Sequence, residues 1–208
     1  MRTPAETVRL MTEYLGDMGE PAPLSGGDSP FSVLVGTVIS LRTRDAVTQK
    51  VTKRLLQRVA TPLELAGVPL GELEELLRPA GFFRVKARQL SEMARLLCER
   101  HGGVVPRSRD ELTALPGVGG KTAAFVLGMA FGIPAVCVDV HVHRVSNRIG
   151  LLATRYPEQT EAELMRVFPR EEWTGLNHVF VRFGQRVCLP ARPRCSVCPL
   201  RGECEWNP

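Results

Sequence analysis

Leu115-Pro116-Gly117-Val118-Gly119-Gly120-Lys121-Thr122-Ala123 is the stretch on which the fold turns. Just upstream, Ser108-Arg109-Asp110-Glu111 reads as a capping box, a serine that accepts an N–H of the first turn and a glutamate that reaches back. Ser108 to Leu115 is therefore a short helix, and a second helix opens near Lys121. A phosphate-binding loop of the nucleotide hydrolases would need glycine at Leu115, and a dinucleotide fingerprint would need it at Thr122. Both motifs should also follow a strand, so neither reading holds. What remains is helix, glycine hairpin, helix. Gly117 and Gly119 permit positive φ and close approach of the backbone to a ligand, and the amides opening the second helix can receive a phosphate. The hairpin thus suits DNA; the plainer reading is a tight turn between packed helices.

Working outward, the same chemistry makes the chain all-α. Thr3-Pro4-Ala5-Glu6, Thr61-Pro62-Leu63-Glu64 and Thr160-Glu161-Ala162-Glu163 repeat the capping box, the first two with proline at the first helical position. Ser29-Pro30 opens another helix through Phe31 to Ile39. Val8, Met11, Leu15 and Met18 form one apolar stripe at helical spacing, and Val47, Val51, Leu55 and Val59 form another. Gly81, Gly102-Gly103 and Gly150 read as helix stops. No sustained period-two pattern and no internal repeat appears, and roughly ten helices are expected.

Four of the six cysteines crowd near the C-terminus, Cys188, Cys195, Cys198 and Cys204, with six, two and five residues between them. Soft thiolates suit tetrahedral zinc or an iron–sulfur cluster. Structural zinc usually pairs two Cys-x-x-Cys knuckles, whereas only Cys195 and Cys198 are that close, and the longer arms would wrap something larger. Zinc and two disulfides are the alternatives. Met1 to Gly19 has no uninterrupted apolar core of the kind a signal peptide needs, so a reducing cytosol and metal ligation are expected rather than bridges. No apolar run approaches the ~18 residues of a membrane span. Cys98 and Cys137 sit among apolar residues and read as small core residues.

A chain of 208 residues, 44% of them hydrophobic, can bury a sizeable core as one large or two small domains. Its net charge of +5 is unevenly spread. Arg42, Arg44, Lys50, Lys53, Arg54 and Arg58 face a single acid, Asp45, over that stretch. Such a run fits a nucleic-acid partner, although basic helix faces are commonly just solvated.

Lys121 in the first turn of its helix meets the positive end of the helix dipole, which disfavours the ammonium form. It is a candidate nucleophile toward an electrophilic carbon; as a plain cation it would be one more phosphate contact. Eighteen residues on, Asp139 follows the apolar run Ile133 to Val138. A carboxylate there can serve charge stabilisation and proton transfer, or cap the next helix.

Together these segments, with Val138-Asp139-Val140-His141-Val142-His143-Arg144-Val145 and Asn147-Arg148, resemble the endonuclease III family of helix-hairpin-helix DNA glycosylases across nearly the whole chain. The resemblance implies a six-helix barrel domain over about 22–131 and a cluster domain of 1–21 with 132–208. It implies a [4Fe-4S] cluster on Cys188, Cys195, Cys198 and Cys204, with a structural role. It implies a bifunctional glycosylase and AP lyase acting on duplex DNA with oxidised pyrimidines or abasic sites, by attack of Lys121 and with the help of Asp139. The expected DNA contacts are Gly117, Gly119, Arg42, Phe82, His141 and Arg144, in a cytoplasmic, nucleoid-associated monomer. Two departures bear on specificity. Arg42 stands where bacterial members commonly carry Gln to fill the gap left by a flipped nucleotide, and Phe82 where a Leu wedge is common. Phe82 as a core aromatic, and His141 with His143 as a second metal site, are the competing readings of those residues. An adenine glycosylase of the same superfamily shares much of the pattern, but Lys121 argues against it. A non-catalytic DNA-binding module with structural zinc is a different class, and borohydride trapping on abasic DNA separates it.

Overall fold

A computed structural model describes residues 2–16 and 29–206; Met18, expected on the first apolar stripe, lies outside them. The chain divides into two compact units, Pro23–Ile133 and Met1–Ala22 with Pro134–Pro208. No strand occurs among the described residues.

Helix α1 (Pro4–Gly16) belongs to the discontinuous unit. The capping box at its start forms as read: the Glu6 amide donates to Thr3 Oγ1 at 3.3 Å, and Glu6 Oε2 accepts from the Thr3 amide at 2.7 Å. The contiguous unit follows with α2 (Pro30–Ser40), α3 (Asp45–Arg58), α4 (Pro62–Ala66), α5 (Leu70–Leu77), α6 (Phe83–His101), α7 (Arg109–Thr113) and α8 (Gly120–Phe131). Helix α2 is apolar nearly all round, and Phe31, Leu34, Val35, Val38 and Ile39 are buried. A helix of that kind is a core element. It packs against α3, α6 and α8. At Gly36 the helix faces Thr52 of α3, whose Cγ2 would lie 3.4 Å from an added Cβ, an ordinary packing contact. Of the α3 stripe, Val51, Leu55 and Val59 are buried and Val47 is half-buried.

The discontinuous unit resumes with α9 (Val140–Arg148), α10 (Pro157–Val167) and α11 (Trp173–Arg186), then short 3-10 turns through the cysteine segment. Its core joins Met11 and Leu15 of α1 to Val142 and Val145 of α9 and to Leu176, Phe180 and Phe183 of α11. One expectation is corrected here. Thr160 does not cap a helix; it lies inside α10, fully buried, where its hydroxyl meets Thr154 Oγ1 at 2.5 Å and His143 Nδ1 at 2.7 Å. The helix instead starts three residues earlier at Pro157, with Gln159 Oε1 accepting from the Tyr156 amide at 3.2 Å. Gly81 likewise precedes α6 rather than closing a helix directly. Cys137 is buried and Cys98 half-buried. No helix is long and apolar enough to cross a membrane among the described residues.

Candidate functional site

The hairpin is built as its sequence reads. Ser108 caps α7 by accepting from the Glu111 amide at 3.2 Å, and the turn closes with the Val118 amide donating to Leu115 at 3.1 Å. Gly117 has φ +79°, and a Cβ there would lie 3.1 Å from Gln89 Oε1, so both its backbone and its surroundings call for glycine. Gly119 is exposed, has open space where a Cβ would be, and begins α8 without a side-chain cap. An unscreened helix start of this kind offers its amides to an anion. Lys121 is exposed in the first turn of α8, while Thr122 and Ala123 beside it are buried and fix the helix in place.

Arg42 and Phe82 come together within the same unit although forty residues separate them. The Arg42 guanidinium lies over the Phe82 ring, 5.5 Å from its centroid. They are the non-glycine residues with positive φ among those described, at 51° and 57°. Each such backbone costs on the order of 1 kcal/mol, and strain of this sort concentrates at functional sites. Phe82 is 60% exposed, which removes the core-aromatic reading. Gly81 makes the approach possible, since a Cβ there would stand 2.5 Å from the Arg42 carbonyl oxygen. Elsewhere in the basic stretch the charge is partly engaged. Arg54 donates to the Glu75 and Leu76 carbonyls, and Arg58 pairs with Glu72 at 2.7 Å, while Arg44, Lys50 and Lys53 are exposed.

In the other unit, Asp139 is the N-cap of α9. Its Oδ1 accepts from the His141 amide at 2.8 Å and the Val142 amide at 2.9 Å, which fixes the orientation of the carboxylate. His141 and His143 diverge in role. His141 Nδ1 sits 3.1 Å from Arg144 Nη2, whereas His143 Nδ1 meets the buried Thr160 hydroxyl. The two Nδ1 atoms thus engage separate partners, Arg144 and Thr160, and do not converge on one point. Arg144 turns toward its own unit. Its Nη2 donates to Gly184 O at 2.9 Å and Cys188 O at 3.0 Å, and a Cβ on Gly184 would come within 2.9 Å of it.

Cys188, Cys195, Cys198 and Cys204 line one pocket together with Phe183, Val187 and Trp206. Burial pushes the thiols of Cys198 and Cys204 above their ordinary range, and the neighbouring cysteines push them further. A soft four-sulfur set in an apolar wall fits a cluster that takes thiolate ligands. Arg192, Arg194 and Arg201 are exposed on the same segment. Arg148 is the residue whose part the sequence reading missed. Its guanidinium donates to Leu189 O at 2.8 Å and Pro190 O at 2.7 Å and stacks on the Trp206 ring at 4.2 Å, while its carbonyl accepts from the Trp206 amide at 2.9 Å. The only sequence signal was its place after Asn147; an arginine buttressing loop carbonyls leaves no periodic mark.

These features have close counterparts. The HhH-GPD superfamily base excision DNA repair protein family matches residues 35–170. The chain is 46% identical over 177 residues to endonuclease III of Thermotoga maritima, covering 85% of this chain and 83% of the relative. It is 41% identical over 199 residues to endonuclease III of Bacillus subtilis, covering 95% and 91%. A trapped endonuclease III–DNA covalent intermediate shares the fold at TM-score 0.87 and 38% identity, over 98% of this chain and 96% of that one. A thermostable thymine-DNA glycosylase, at 24% identity and TM-score 0.86, shares the fold. Agreement along so much of the sequence and of the backbone leaves one assignment: this chain belongs to the endonuclease III family, within the HhH-GPD superfamily of base excision DNA repair proteins.

Proposed function

We propose that this chain is a bifunctional DNA glycosylase and AP lyase that removes oxidised pyrimidines from duplex DNA, with Lys121 as nucleophile and Asp139 as its charged partner in the reaction. The observation that carries the reading is Lys121 itself, an exposed amine in the first turn of α8 directly after an uncapped glycine hairpin. The hairpin amides of Gly117 and Gly119 hold the DNA phosphate, and the damaged nucleotide is extruded before its sugar is reached. Lys121 Nζ then attacks C1′ as the bond from C1′ to the base breaks; the electron pair leaves with the base, which takes up a proton. Ring opening yields an imine, loss of a proton from C2′ expels the 3′ phosphate, and water releases the amine. Asp139, oriented by its two capping bonds, stabilises positive charge on the sugar. A similar protein has been trapped as a covalent endonuclease III–DNA intermediate, which supports a covalent route here.

The four cysteines are assigned to a [4Fe-4S] cluster. When bound, it supplies a rigid tie across 188–204, presenting Arg192, Arg194 and Arg201 to phosphate. Four cysteines sharing one pocket, at spacings wider than a pair of Cys-x-x-Cys knuckles, support a cluster over zinc. The enzyme works as a monomer on chromosomal DNA in the cytoplasm.

Borohydride trapping on a duplex carrying one abasic site tests the chemistry. Wild type forms a covalent adduct and cleaves the strand; Lys121→Gln does neither while keeping most of its binding. A persistent adduct in the variant moves the nucleophile elsewhere, and binding without any adduct in the wild type leaves only a DNA-binding module.

A further inference from the structure

Lys86 is a buried amine that the reaction does not use. It is 3% exposed, in the first turn of α6. Its Nζ donates to the Ile39 carbonyl and to Thr43 Oγ1, both at 2.6 Å. Ile39 lies three residues before Arg42 and Thr43 one residue after it. The Thr43 hydroxyl in turn donates to Leu41 O at 3.4 Å, and the Thr43 amide to Ser40 O at 3.0 Å. On its own backbone, Lys86 donates its amide to the Phe82 carbonyl at 3.1 Å. The side chain thus ties the end of α2 to the residue after the strained Arg42, while the main-chain amide makes the opening helical bond of α6 to the strained Phe82.

Packing alone does not explain an amine in this position. A methionine would fill similar space without the cost of desolvating a cation, and burial does lower the Lys86 amine to about 8. What nitrogen adds is direction: two bonds, one to the last turn of α2 and one to the residue after Arg42. Neither of these acceptors carries a charge, so the amine is not there as half of an ion pair with them.

We propose that Lys86 is a positioning residue for base extrusion, whose side chain holds the turn carrying Arg42 so that Arg42 is set to enter the duplex beside Phe82. This rests on the reading that Arg42 and Phe82 are the residues inserted at the lesion.

A double-mutant cycle tests it. Lys86→Met, Arg42→Ala and the double variant are assayed for excision of an oxidised pyrimidine in duplex against all four opposite bases, and in single strands. Hydrogen exchange of the 40–44 segment is followed in parallel. Lys86→Met is expected to lower the duplex-to-single-strand ratio about tenfold, the scale set by leaving hydrogen-bonding groups in a site without their partner. The double variant should then lose no more than Arg42→Ala alone, because both act through one element. Exchange at 40–44 should quicken without a matching change in α2. Thr43→Val, which removes one acceptor and leaves the core intact, should shift the ratio in the same direction by less, and it decides the matter if Lys86→Met fails to fold. Additive losses, or an unchanged ratio in Lys86→Met or Thr43→Val beside a lowered one in Arg42→Ala, overturn the positioning role. An unchanged ratio in both Arg42→Ala and Phe82→Ala overturns the insertion reading, and the role built on it falls too.

Discussion

Asp139 shows why a substitution must be chosen by what it preserves. Asparagine still accepts the His141 and Val142 amides through its side-chain oxygen, whereas alanine loses the cap as well as the charge. Asp139→Asn is therefore expected to keep the melting transition near wild type and to slow base excision more than cleavage of preformed abasic sites, since only the former must generate the sugar cation. Asp139→Ala should in addition lose about 1 kcal/mol in denaturant unfolding. Equal losses of both activities in the asparagine variant would reduce Asp139 to a helix cap. Lys86 makes a prediction of another kind. Below about pH 8 folding must bury a charged amine, and above its ordinary value of 10.5 neither the folded nor the unfolded chain carries that proton. Between those limits the unfolded chain binds more proton, so stability relative to Lys86→Met rises with pH, by about 3 kcal/mol at most. Denaturant midpoints of the two proteins from pH 7 to 10.5 measure it, and a flat difference would mean the amine titrates as it does in water.

Among the elements, the hairpin of α7 and α8 makes the sharpest demand on sequence. Gly117→Ala places a Cβ against Gln89 at a backbone angle that only glycine takes easily, and is expected to cost about 1–2 kcal/mol while weakening duplex affinity. Unfolding and binding titrations of the one variant check both. The opposite sign is expected at the start of α6. Phe82→Gly relieves the left-handed backbone, so stability should hold or rise while excision from duplex falls; a loss of stability would mean the ring serves packing. Such local features were legible because they are written in adjacent residues: Ser29, Thr61 and Ser108 each accept the expected amide. Thr160 misled because its Thr-x-x-Glu pattern is identical on paper, while burial of its hydroxyl beside His143 and Thr154 decided otherwise. The Arg42 and Phe82 stack, and Lys86 beneath it, were not legible as an arrangement. They depend on how α2 meets α6, which no window of neighbouring residues records.

At the scale of the whole molecule, the four cysteines carry the most direct test. On the proposed reading the purified protein is brown and holds about four irons per chain, the content of a cubane cluster on four thiolates. Cys195→Ser should lose the colour and raise hydrogen exchange over 188–206, with little change over 30–133, because the tie it breaks lies in one unit. Stoichiometric zinc in place of iron would overturn the assignment. The all-α class, the hairpin and the cysteine set could be read from residue types and spacing, whereas the bracing of the cysteine segment by Arg148 needed coordinates. One feature of the unit that contains α1 reaches beyond the finished molecule. Met11 and Leu15 are covered by α9 and α11, whose residues lie more than a hundred positions later in the chain. During synthesis on the ribosome, then, α1 is made well before the helices that bury it. The contiguous stretch between can collapse while that helix waits, its apolar stripe without its partners until α11 has been translated.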